Sequence, residues 1–324
     1  MATGPVVPDV CVGWVVDALA RRGAGPLVLD SGAFPTSVRL STDGRSGRIH
    51  TPDWSVDSEE LASVWLRYVD VGAGAGEAIH PDFREAALVQ SEIAFWGFLS
   101  GLSTPMVDRP ARLRAAPEHV EQLGLARQAG LAVPRTVITN DPAEVRALQE
   151  VCPGGIVAKM LHSSSVRLRA ADGHEGYVPT RRLEPDEPLD GLELCPMIFQ
   201  EYVPKALDIR VVSVGRSLFG AAVDPRLSTI GAVDWRQDRS LAGRFQRWQP
   251  DSATEAAIQR MFDHGGLEYN TMDLVQRPDG EVVFLELNGV SFYDFVEEAT
   301  GLPISETLAG LLVGEAPTRF GGRS

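Results

Sequence analysis

The sequence predicts an α/β protein built of more than one lobe, and three observations carry that prediction. Short apolar runs alternate with stretches of helical periodicity from Pro8 to about Arg109. A last segment, beginning near Cys195, holds four strand candidates in succession, "MIFQEYV", "DIRVVSVGRSLFGAAVD", "LEYNTMDLV" and "EVVFLELN". A chain of 324 residues with 44% apolar residues is also longer than one core usually spans, which points to two or three lobes.

In order along the chain, "VCVGWVVDALARRGAG" reads as a short apolar run, a helix and a glycine stop, and "GPLVLDSGAFP" as a strand and turn. "SEELASVWLRYVD" is a helix or turn feeding a strand. "PDFREAALVQSEIAFWGFLSGL" keeps helical spacing over about five turns. "APEHVEQLGLARQAG" is a helix ending in glycine, and "LAVPRTVITNDPAEVRALQEV" is a strand, an Asn-Asp-Pro turn and another helix. "GGIVAKML" is a buried strand with one lysine, Lys159, near its end. The polar stretch from His162 to Pro196 reads as a hairpin or loop region.

Composition excludes several classes. A net charge of −14 argues against general nucleic-acid binding, which depends on Lys and Arg neutralising phosphates. No apolar run approaches about eighteen residues, and the first residues have neither the basic nor the apolar segment of an export signal, so a cytoplasmic location without membrane insertion is expected. Cys11, Cys152 and Cys195 are isolated and odd in number, and are read as reduced structural residues. Trp65, Trp96, Trp235 and Trp248 are read as core or surface aromatics.

The chemistry gathers in "VVFLELN". Side chains alternate on a strand, so Glu286 and Asn288 share one face while Leu285 and Leu287 take the other. The preceding "DLVQRPDGEVV" contains Asp279-Gly280 between apolar runs, a hairpin signal. A two-residue loop pairs Pro278 with Glu281, and five steps back along both strands places Asp273 opposite Glu286. Opposed buried carboxylates repel unless a cation compensates them. Hard oxygen donors without His or Cys favour Mg²⁺ bridging to phosphates. The plain reading is a solvated strand end with a turn residue at Asn288. Lys159 closing "IVAK" either meets an anion or reaches water. "IFQEYVPKALDIRV" gives a strand, a Pro-Lys-Ala break and a second strand, the form of a hinge between lobes. Asp208 and Arg210 share a face of the second strand, and either suit a ribose hydroxyl and a phosphate or form an ordinary surface pair. Neither a P-loop nor a dinucleotide fingerprint is present.

Taken together, these segments resemble the ATP-grasp ligases, and more closely the ATP-grasp maturases of ribosomal peptides, the graspetide (microviridin-type) macrocyclases. The resemblance runs through "PLVLDSGAFP", "VWLR", "VDRPARL", "ARQAGLAVPRTVITNDP", "FQEYVPKALDIRVVSVG", "FLELN" and "EEATGLPI". It implies an ATP-grasp fold, with a pre-ATP-grasp α/β lobe over 1–114, a central lobe over 115–198 and a C-terminal antiparallel-sheet lobe over 199–324. ATP would lie between the last two. The resemblance implies Lys159 as a phosphate lysine, Gln200, Glu201, Tyr202 and Val203 as the adenine hinge, and Asp208 as the ribose acid. It further implies Arg210 facing the phosphates or an acyl phosphate, with Asp273, Glu286 and Asn288 as magnesium ligands; "DWRQD" would supply Arg236 on the acceptor side.

The activity implied is ATP-dependent activation of a carboxylate as an acyl phosphate, then ester or amide crosslinking in a precursor peptide. Two alternatives stay open: a stand-alone ligase joining a small carboxylic acid to an amine, and a non-catalytic nucleotide-binding peptide carrier. Related ligases dimerise, so a homodimer is a further expectation. The loop from His162 to Gly176, with Ser163, Ser164 and Ser165, is read either as a lid over the acyl phosphate or as a plain loop. The chain departs from the family pattern at His119, where a second nucleotide lysine is usual, and at "GVSFYDF" after "LELN", where a Pro-Asn-Gly type segment is usual.

Overall fold

The computed structural model describes residues 2–3, 9–74, 78–116, 118–161, 168–169, 175–176 and 179–320. Asp9 accepts from the Cys11 N–H and so caps the helix Val10–Arg21, whose apolar face carries Cys11, Val15, Ala18 and Leu19. A three-stranded antiparallel sheet, Arg39–Thr42, Gly47–His50 and Ser55–Asp57, follows. The helix Pro81–Gly101 lays Phe95, Phe98 and Leu99 against Leu29, Val38, Ile49 and Leu66, and the short strands Val64–Trp65 and Met106–Val107 pair in parallel.

The next unit is a four-stranded antiparallel sheet ordered Arg181–Leu183, Ile156–Lys159, Met197–Glu201, Thr136–Thr139. Alternation sorts its faces: Ile156, Ala158 and Phe199 join Val145 and Leu148 of the helix Pro142–Val151 in one core, which leaves Val157, Lys159 and Gln200 on the other face. The helix His119–Ala129 enters this part of the chain and stops at Gly130, whose φ of +88° is the left-handed cap that glycine adopts without strain.

The five-stranded antiparallel sheet is ordered Gln246–Arg247, Ser217–Val223, Leu207–Val214, Tyr269–Gln276, Val282–Asn288. One face packs Ile209, Val211, Met272, Leu274, Phe284 and Leu287 on Ile258, Met261 and Phe262 of the helix Ser252–Gly265 and on Ala126 and Ala129. The other face is divided along its length. At one end Val212, Val214 and Tyr269 are covered by the helices Val10–Arg21 and Ile304–Leu312. At the other end the same alternation brings up Asp208, Arg210 and Asp273, residues that no apolar layer could cover cheaply.

The outer edge of Val282–Asn288 is closed from the side. Phe284 N–H donates to the Ala132 carbonyl at 2.8 Å. The buried Gln122 side chain both accepts from the Leu287 N–H and donates to the Leu287 carbonyl, each at 2.9 Å.

Asp273 does stand opposite Glu286, but by a different route from the two-residue loop. Arg277 N–H donates to the Glu281 carbonyl and Gly280 N–H to the Arg277 carbonyl, so the loop has three residues, with Gly280 at φ +94°. That loop alone would bring Leu285 opposite Asp273. A register shift between Asp273 and Leu274 inserts Leu285 as an extra residue and restores the carboxylate pair. The bulge also corrects the facing of Leu285: it turns to the same side as Glu286, against Val203, Val275 and Val283, while Leu287 stays in the helix-covered core.

Candidate active site

The strand Met197–Glu201 ends in one sheet and Leu207–Val214 begins in the other, so Tyr202–Ala206 spans between them as the sequence led us to expect. A cleft opens there. Val157, Lys159 and Gln200 line it from one sheet, with Thr180 just before the strand Arg181–Leu183, and Asp208, Asp273, Val275, Leu285 and Glu286 line it from the other. The hinge residues Glu201, Tyr202 and Val203 close its back, and Asp234, Trp235 and Arg236 form a further wall.

Hinge hydrogen bonds divide sharply. Glu201 N–H donates to the Arg135 carbonyl at 2.8 Å and Tyr202 N–H to the Gly155 carbonyl at 3.0 Å. The Val203 N–H has no partner among the described residues, and Val203 lines the cleft. Gln200 spends its side-chain amide on Thr136 Oγ1, at 2.9 Å, within its own sheet. The Glu201 carboxylate accepts from the Arg135 N–H and pairs with Arg277 at 3.6 Å, so the hinge faces the cleft through backbone and through Val203. Tyr202 lies under the Arg182 guanidinium, 4.1 Å from its ring centroid.

Asp208 accepts from Lys205 Nζ at 2.8 Å through Oδ1, while its buried Oδ2 has no partner among the described residues. Burial raises its pKa against the pull of Lys205. An unpaired buried oxygen costs about 1–3 kcal/mol, which a ligand hydroxyl would offset. Lys205 also donates to the Val233 carbonyl at 2.8 Å and so ties the hinge to the loop before Asp234.

The carboxylate pair lies at the far end. Asp273 Oδ2 accepts from Arg236 Nη2 at 2.8 Å, and Oδ1 stands 3.2 Å from Arg210 Nε. Glu286 Oε1 lies 2.9 Å from His119 Nε2. Burial would raise the Glu286 pKa, but the His119 hydrogen bond and the charge of Lys159 outweigh it and hold the group well below the usual carboxylate range. Lys159 enters the same field: burial lowers its pKa, and Glu286 and Asp273 act in the opposite sense. Asn288 is two residues beyond Glu286 on the same face, opposite Thr271.

The cleft thus collects Lys159, Gln200, Glu201, Tyr202, Val203, Asp208, Arg236, Asp273 and Glu286. Arg210 joins through Asp273 and Ser291, and His119 through Glu286. His119 therefore meets the Glu286 carboxylate at the edge of the cleft. Among the described residues no group of three His, Cys, Asp or Glu gathers in metal-binding geometry. The hard donors are two carboxylates and one amide, a set that fits a magnesium ion completed by phosphate oxygens. Sequence reasoning missed Lys205, Asp234 and Thr180. Lys205 had a visible signal, three residues before Asp208 in "PKALD", whereas the other two come from loops distant in sequence. Trp235, read as an ordinary aromatic, packs edge-on against Phe245 and at a tilt against Phe295, and also lines the cleft. The serines Ser163, Ser164 and Ser165 lie outside the described residues.

Residues 8–114 match the family model described as the MvdD pre-ATP grasp domain. The structure is similar to that of a RiPP-associated ATP-grasp ligase from Chryseobacterium gregarium, solved with ADP and a leader and core peptide. The TM-score is 0.90 with 26% identity, over 100% of this chain and 98% of that one. The chain carries the ATP-grasp fold. The same ATP-grasp fold relates it to the macrocyclase MdnC of Microcystis aeruginosa MRC, solved with the precursor peptide MdnA, at TM-score 0.83 and 28% identity over 97% and 99% of the two chains. Macrocyclase MdnB of the same organism matches at TM-score 0.75 and 28% identity over 96% and 97%. No curated protein matches the sequence.

Proposed function

We propose that the protein is an ADP-forming ATP-grasp ligase that forms ω-ester or ω-amide crosslinks in a ribosomally synthesised precursor peptide. The observation that carries this reading is the convergence, in one cleft, of a hinge whose Val203 N–H has no partner among the described residues, an Asp208 whose Oδ2 is likewise unpaired among them, and a lysine–carboxylate end at Lys159, Asp273 and Glu286. It is supported by the likeness to peptide-bound ligases across nearly the whole chain.

In this reading the Val203 N–H and the hinge backbone take the adenine edge, and Asp208 Oδ2 a ribose hydroxyl. Lys159 faces the phosphates. Asp273, Glu286 and Asn288 would hold magnesium, which supplies Lewis-acid neutralisation of the phosphate charge. Arg210 and Arg236, both anchored on Asp273, present cations where a substrate carboxylate attacks the γ-phosphorus and a charged acyl phosphate develops. A hydroxyl or amine then displaces phosphate and closes the ring. The lobes are proposed as 1–114, 115–198 and 199–324, with Met197–Glu201 crossing the second boundary, and the site of action as the cytoplasm.

The test is ADP release by the purified chain with Mg-ATP, with and without the peptide encoded beside its gene, followed by the intact mass of that peptide. Peptide-dependent ADP with loss of one water mass per ring supports the crosslinking ligase. ADP release driven only by small carboxylates and amines moves the assignment to a stand-alone ligase, and absence of turnover under every condition moves it to a carrier.

A further inference from the structure

One buried cation in the N-terminal lobe has no place in the chemistry above. Arg67 is 2% exposed, and its guanidinium lies 5.1 to 5.7 Å from the ring centroids of Trp65, Tyr68, Tyr269 and Phe292. Nε donates to Asp9 Oδ2 at 2.7 Å, Nη1 donates to the Ser291 carbonyl at 2.5 Å, and the buried Nη2 has no partner among the described residues. A guanidinium enclosed in this way stays charged, and its rigid fork fixes the relative placement of the groups it bridges. Here those groups come from opposite ends of the chain.

Ser291 belongs to the segment 289–292, which follows the carboxylate strand and lies outside any helix or strand. Lateral bonds place it instead: Tyr269 OH donates to the Ser291 carbonyl at 2.6 Å and Tyr68 OH to the Val290 carbonyl at 3.4 Å. Ser291 Oγ in turn accepts from Arg210 Nη1 at 3.3 Å, and Arg210 also holds Thr271 Oγ1 at 2.8 Å and Asp273. A chain of contacts therefore runs Asp9, Arg67, Ser291, Arg210, Asp273. We propose that Arg67 is a positioning residue, reaching from the N-terminal lobe to set the 289–292 segment and, through Ser291, the Arg210 guanidinium. The inference rests on the ligase reading for what Arg210 does, though not for where Arg67 acts. If Arg67 only fastened two lobes together, its loss would lower stability and leave turnover per folded molecule intact.

The experiment uses the full chain carrying Arg67→Lys, Ser291→Ala, or both. Lysine keeps the charge and the Asp9 pair, but one ammonium cannot reproduce the fork. Amide exchange over 289–292, measured by mass spectrometry without substrates, is expected to quicken at least about tenfold in Arg67→Lys, with the helix Val10–Arg21 unchanged. Peptide-dependent ADP release is expected to lose on the order of tenfold in kcat at unchanged KM for ATP, and the double variant to be no worse than the poorer single one. Should Arg67→Lys fail to fold, Asp9→Asn keeps the helix cap while removing the guanidinium's charge partner, and the same accelerated exchange is expected. Unchanged exchange over 289–292, or normal kcat beside a lowered melting temperature, overturns the proposal. A wild-type chain that releases no ADP defeats the ligase reading alone, because the exchange measurement still decides whether Arg67 holds the segment.

Discussion

Replacing Gln122 by methionine should weaken the whole protein through the edge of the strand that carries Glu286. The side chain is 5% exposed and makes two hydrogen bonds of 2.9 Å to the backbone of Leu287, itself 5% exposed. Methionine matches the length but returns neither bond, leaving a buried N–H and a buried carbonyl. Each orphaned group costs about 1–3 kcal/mol, so about 4 kcal/mol is the central value for the pair. Unfolding entropy scales to about 0.7 kcal/mol per kelvin for a chain of 324 residues, which converts that loss to a melting temperature lower by about 6 °C. Differential scanning calorimetry measures it directly. A midpoint within about 1 °C of the wild type would mean that water or a backbone shift replaces both bonds, and the description of Gln122 as an edge clamp would be wrong.

Other perturbations separate the site from the scaffold. Glu286→Gln keeps the volume and a partner for His119 but removes one anionic donor, so ADP release should fall by at least about a hundredfold with the melting temperature nearly unchanged; a near-normal rate removes Glu286 from the proposed metal set. Lys159→Ala should mainly raise the KM for ATP, read from ADP release against ATP concentration, and an unaltered profile would assign the lysine no phosphate contact. Burial pushes the Asp108 carboxyl up from 3.8 to about 7, against the Glu268 and Tyr269 N–H groups that it accepts. A raised folded-state pKa contributes stability that is complete below pH 3.8 and is lost as pH rises through about 7. Wild-type melting temperature should fall over that window, and Asp108→Asn, which cannot ionise, should flatten the slope.

Much of the site was legible because the strand period is simple. Asp208 with Arg210, and Glu286 with Asn288, share faces in the structure as two-residue spacing requires, and the Pro-Lys-Ala break does separate two sheets. The alternation argument failed at Leu285, because a bulge is a local exception that apolar patterning does not encode. His119 was visible as an odd residue at a helix start, but its contact with Glu286 depends on how that helix docks across the strand edge. Arg67 was unreadable for the same reason: its partners Asp9 and Ser291 lie 58 and 224 residues away. Long-range partners follow from how lobes meet, which no local window contains.

The loop and the bulge of the last hairpin offset one another. The three-residue loop moves the register by one and the inserted leucine moves it back, so together they set Glu286 opposite Asp273, and the leucine also stands beside that pair in the cleft. Deleting Leu285 alone would give an even ladder with Phe284 still facing Leu274 and Glu286 still facing Asp273. Deleting a loop residue instead would leave Arg277 facing Glu281 across a two-residue loop, with the pairings beyond it in place. Single-residue deletions in this hairpin can therefore resculpt the apolar wall of the cleft or tighten its distant turn while the carboxylate end keeps its partners.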